Sequence, residues 1–145
     1  VRLTVFLAAQ LLLGVYFLIF GTNGFVHFLH LPPEHGDAQT FSAVLERTHF
    51  WAFVYGAEIL AGALLLVNRA VPFALVVLAA IIANVIVFHA TMEPGGALNG
   101  AIALVLWIVA CWPYRAIFAT LFTNELPTRV EIDRPDAGRN RLRTA

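Results

Sequence analysis

The chain has no lysine, one cysteine and one methionine, and only 12% of its 145 residues are charged. Each scarcity excludes something. Cys111 alone forms neither an internal disulfide nor a Cys-x-x-Cys redox pair, so a redox role would require a bound cofactor or a partner. Formal net charge is zero and no basic stripe lies outside the C-terminal tail, which argues against nucleic acid as a partner. So few charges also leave too little polar surface to cover a soluble domain. What the chain has in excess is apolar: 60% of residues are hydrophobic and the mean hydropathy is +0.80.

The apolar residues gather into four runs, about 3–27, 49–67, 70–89 and 98–114. Each is near the roughly 20 residues that carry a helix across hydrocarbon, and none alternates as a barrel strand would. Arg2 is followed by an apolar stretch too long for a signal-peptide core, with no small-x-small cleavage pattern, so the first run reads as a span. The expected fold is all-α: an integral membrane four-helix bundle over residues 1–122, then a charged, disordered tail over 123–145. Arginine bias sets the expected orientation. Arg2, Arg69, Arg115 and the tail arginines fall on one side, whereas Arg47 shares the other with Glu34, Asp37, Glu46 and Glu93, predicting cytoplasmic N and C termini.

The first outer segment opens with Leu31-Pro32-Pro33-Glu34, whose prolines are expected to end the first helix. Phe41, Val44 and Leu45 then recur at helical spacing, predicting a short amphipathic helix on the outer surface, either a lid or a plain connector. Small-residue pairs four apart, Ala52 with Gly56, Ala57 with Ala61 and Ala79 with Ala83, mark faces where helices approach closely in lipid.

Glu58 interrupts the second run. An ionisable group near the bilayer centre costs about 2.5–3.5 kcal/mol on insertion scales and ordinarily faces a bundle interior or polar cavity, which makes Glu58 the leading functional residue and a proton-exchanging group. The alternative is a packing carboxyl bonded to Tyr55 or to a helix carbonyl. Counting helical rise places Glu58 roughly 13 Å below the outer boundary and Asn84 in the outer half. Asn23, His27 and His89 fall near that boundary, predicting a polar column with Glu58 at its floor. Asn23, His27 and His30 share one helical stripe, and Trp51, Tyr55 and Glu58 share another. Asn84 and His89 are about 140° apart around their helix, so both line one cavity only if it is wide or the helix ends there.

These segments together resemble the DoxX-like membrane proteins. The resemblance rests on Phe20-Gly21-Thr22-Asn23-Gly24-Phe25-Val26-His27-Phe28, the proline-containing outer loop, Ala57-Glu58-Ile59-Leu60-Ala61-Gly62, and Asn84 to His89, and it covers about residues 3–120. It implies a four-helix membrane fold, multi-pass residence in the bacterial inner (cytoplasmic) membrane, and association with redox systems, including quinone-linked ones. Distant relatives act in membrane-protein assembly.

The leading functional expectation is a small membrane subunit binding a hydrophobic small molecule, quinone among the cofactors considered, through Asn23, His27, Trp51, Tyr55, Asn84 and His89, with Glu58 exchanging a proton. Haem ligated by His27 or His30 with His89 is disfavoured by their boundary depth and the lack of an attachment motif. No metal site is expected without a nearby thiolate or acidic triad. One rival reading is an assembly or interaction factor that recognises a membrane partner and performs no chemistry. Another is a proton-coupled transporter of small solutes, which with so few helices would require an oligomer.

Overall fold

The computed structural model describes residues 2–122; the expected tail and its arginines lie outside the described residues. Helices account for nearly all of this region. They are α1 (Arg2–Val26), α2 (Gly36–Arg47), α3 (Phe50–Leu66), α4 (Val71–Thr91), α5 (Ala97–Cys111) and α6 (Arg115–Thr120), with short 3₁₀ turns at Pro94–Gly96 and Trp112–Tyr114.

Three stretches, Leu3–Val26, Val71–Thr91 and Pro94–Thr120, are long and apolar enough to cross a membrane. The second expected span differs. α3 has 17 residues, about 25 Å of helix, which falls short of a hydrocarbon core of roughly 30 Å. It qualifies as a fourth span only together with α2, from which it is bent by 86°. The bend sits at His49, which adopts the left-handed conformation with φ 58°. The last span runs past its expected end at Tyr114. Pro113 lacks an amide hydrogen and switches the backbone to a 3₁₀ turn, yet the helical path resumes to Thr120.

α1 also ends differently from expectation, stopping at Val26 before either proline. His27 turns into the left-handed region at φ 54°. The Asn23 carbonyl accepts the His27 amide at 2.8 Å, while Asn23 Oδ1 accepts the Leu29 amide at 2.6 Å. A left-handed residue just past a helix satisfies its last carbonyls as the common C-terminal cap does. The expected amphipathic helix is present as α2, with its Ala38 buried and Phe41 and Val44 exposed.

The long helices form a closed ring. α1 packs on α3 and α5, and α4 packs on the same two. Contacts between Gln10 and Leu65, Trp107 and Leu75, and Tyr114 and Gln10 show that these neighbours run antiparallel, an up-and-down four-helix arrangement. Leu13, Leu65, Leu75 and Leu78 are fully buried at its centre. The α1–α3 seam is made by glycine. A Cβ on Gly62 would stand 2.8 Å from the Gly14 carbonyl oxygen, and one on Gly21 would stand 2.9 Å from that of Tyr55. Such close approach is what small residues permit where lipid offers no hydrophobic drive to association. The small-residue pairs named from sequence do not all play this part. Gly56 faces open space, and Ala52 and Ala83 are exposed.

Candidate functional site

The seam between α1 and α3 opens at the end of the bundle where α2 joins. Tyr55 projects from α3 across the backbone of Gly24, where any side chain would overlap its ring. Trp51, one turn earlier, stacks on Tyr55 with ring centroids 5.5 Å apart and planes within 8° of parallel. Phe25 meets Tyr55 edge-on, at 5.7 Å and 73°. Offset stacking and edge contacts of this kind each add about 0.5–1.5 kcal/mol beyond area burial. The aromatic group is therefore a fixed wall.

Beside it lies a shallow cavity of about 210 Å³, open to the surface, with Phe25, His27, Glu46, His49 and Ala52 of its lining exposed. α1 and its end contribute Gly24, Phe25 and His27; α2 contributes Glu46; the bend contributes His49; α3 contributes Trp51, Ala52 and Tyr55. Both histidines occupy left-handed positions, His27 closing α1 and His49 opening α3. The two chain reversals thus bring both imidazoles to one mouth. The chemistry offered is a flat apolar wall, two imidazoles and one carboxylate.

Glu58 lies one turn beyond Tyr55 along α3 and is buried, 8% exposed. Its Cβ packs where α1 has Gly21, 3.0 Å from the place a Gly21 Cβ would take. Among the described residues, no hydrogen bond joins Tyr55 to Glu58; the Tyr16 hydroxyl instead donates to the Asn99 carbonyl at 3.2 Å.

The residues named from sequence therefore separate. His27, Trp51 and Tyr55 share the cavity, with Glu58 beneath. Asn23 is buried, but its side chain is engaged in capping α1. Asn84 is exposed on α4, and its Nδ2 donates to the Ala80 carbonyl of its own helix at 2.8 Å. His89 Nδ1 pairs with the Glu93 carbonyl at 2.8 Å, and its ring covers Gly96, clasping the α4–α5 turn. The single polar column expected from sequence is thus divided between the α1–α3 seam and separate positions on α4. Among the described residues, no group of three or more His, Cys, Asp or Glu side chains converges to hold a metal ion.

Three positions escaped the sequence reading as site residues. Glu46 and His49 line the cavity, although the sequence marked them only as outer-loop and boundary residues. Gln10 is 4% exposed at the opposite end of the bundle. Its Nε2 donates to the Leu65 carbonyl at 2.9 Å and to Asn68 Oδ1 at 3.1 Å, and its Oε1 accepts from Tyr114 at 3.5 Å. An amide in the first half of the apolar first run, far from Asn23, was the available signal.

Hydropathy, helix length and packing make the chain a small, all-helical, multi-pass membrane protein with three or four candidate spans. No family model, curated protein or solved structure matches it.

Proposed function

We propose that the chain is a DoxX-like subunit of the bacterial inner membrane, with both termini cytoplasmic, that receives the ring of a hydrophobic small molecule of the quinone class. The observation that carries this reading is the aromatic-walled cavity at the α1–α3 mouth. At about 210 Å³ it is smaller than the roughly 300–1,000 Å³ filled by drug-sized ligands, so it suits one ring or headgroup whose apolar remainder lies in lipid. Trp51 supplies a face for stacking, and His27 and His49 supply imidazole nitrogens for ring carbonyls. Two segments of the family resemblance, 20–28 and 57–62, meet at this seam, which favours a shared site over two unrelated motifs.

Glu58 is the proton-holding group, buried one turn beyond Tyr55 on α3 and outside the cavity lining. A quinone supplies two-electron chemistry accompanied by protons, and a buried carboxyl one turn from the ring site is suitably placed to hold one. Titration of a short-chain quinone into nanodisc-embedded protein tests the binding. Saturable binding to wild type and at least tenfold weaker binding to Trp51→Ala are expected. Equal, non-saturating partition into both would refute the site. Glu58→Gln is expected to retain binding and lose quinone-linked turnover in membranes; full turnover would remove Glu58 from the chemistry.

A further inference from the structure

The lipid-facing surface of the spanning helices is apolar except at one point. Among the described residues more than one turn from a helix end, α1, α3 and α5 expose only aliphatic, aromatic and glycine positions, whereas α4 exposes Asn84. Seven residues before Thr91, its amide lies roughly 10 Å inside the outer end of α4. Among the described residues its Nδ2 donates once, to the Ala80 carbonyl. A primary amide has two donor hydrogens and an acceptor oxygen, so one N–H and Oδ1 remain available, and acyl chains offer nothing to bond them.

We propose that this face of α4 is a self-association surface on which Asn84 from two copies of the chain exchange hydrogen bonds. Three observations favour a second copy as the occupant. An amide complements itself, since each copy supplies the N–H that the other's Oδ1 accepts. Two copies inserted with the same topology carry Asn84 at the same depth, so a two-fold axis along the membrane normal brings the amides together without a vertical shift. Val76, Ala80, Ala83 and Val87, all exposed, repeat at the four-three-four spacing of a helix–helix seam. The alanines lie at its middle beside Asn84, where they permit close backbone approach. This face is on the opposite side of the ring from α1, so pairing leaves the α1–α3 cavity free.

Full-length protein carrying Cys111→Ser, with a new cysteine at Ala83 or at lipid-facing Val105 of α5, tests the face by oxidative cross-linking in membranes. Ala83→Cys is expected to give a covalent dimer and Val105→Cys none. Adding Asn84→Leu should weaken self-association by roughly tenfold. Native mass spectrometry of cysteine-unmodified wild type and Asn84→Leu supplies the readout should the cysteine variants fold poorly; helical circular dichroism should be unchanged, because Asn84 bonds only its own helix. Equal cross-linking at both positions, an Asn84→Leu dimer as strong as wild type, a monomer in both proteins, or adducts from Ala83→Cys only to a different protein would each overturn the proposal.

Discussion

Gly62 and Gly56 are six residues apart in one helix, yet they face opposite environments. A methyl at Gly62 would press on the Gly14 carbonyl of α1, whereas one at Gly56 would meet nothing within 4 Å. Gly62→Ala is therefore expected to destabilise the bundle by about 1–3 kcal/mol through overpacking. Gly56→Ala should be neutral or stabilising by up to about 1 kcal/mol through helix propensity. Thermal unfolding in mild detergent separates the two; equal effects would deny the α1–α3 seam. Ala70, in the tight α3–α4 turn, is held at φ 48°. Left-handed backbone costs an alanine about 1–2 kcal/mol and a glycine very little, so Ala70→Gly should raise the unfolding midpoint. A lowered midpoint would contradict the strained turn.

The same residues show how far a sequence can be read. Glu58 was legible because a carboxylate in an apolar run has few explanations. Gln10 and Asn84 were not legible in environment. An amide carries no charge to demand a partner, and the rule that polar groups turn inward misplaced Asn84, which is exposed on the outside of the bundle.

At the scale of elements, helix positions were legible to within a few residues, because apolar length is what a bilayer requires. Which face of each helix turns inward was not. Apart from Glu58 on α3 and Asn84 and His89 on α4, these two helices are apolar all round, so periodicity gives little direction, and small-residue spacing picked Ala52 with Gly56, which lies outside the seam. α2 is the informative exception, since its polar face makes it amphipathic. It buries Ala38 on the bundle end, and the Ser42 hydroxyl is buried without a hydrogen-bond partner among the described residues. Replacing a buried, unpaired hydroxyl by a methyl removes a desolvation cost of about 1–3 kcal/mol, so Ser42→Ala should stabilise the docking of α2. Hydrogen exchange on the α2 amides would report it as stronger protection; faster exchange would mean that Ser42 has a partner.

For the whole molecule, the closed ring of α1, α3, α4 and α5 places the start of α1 and the end of α5 together and gathers the three chain reversals carrying His27, His49 and His89 at the other end. The proposed orientation puts the first end on the cytoplasmic side. Single cysteines at Asn68 and Asp37, in a Cys111→Ser background, should then label from the cytoplasmic and outer sides respectively, and the reverse pattern would invert the orientation. The fold was legible because three of the four expected spans declare themselves by length, whereas α3 reaches that length only together with α2, and the cavity was legible only in part. His27, Trp51 and Tyr55 come together through two left-handed residues, and no hydropathy pattern encodes those turns. Native mass spectrometry of the protein extracted in mild detergent, comparing wild type with Trp51→Ala, tests the ligand cavity most directly. A co-purified molecule of defined mass, present on wild type and lost from the folded variant, is the predicted result; the same bound mass on both, or none on either, would contradict a ligand held at the α1–α3 mouth.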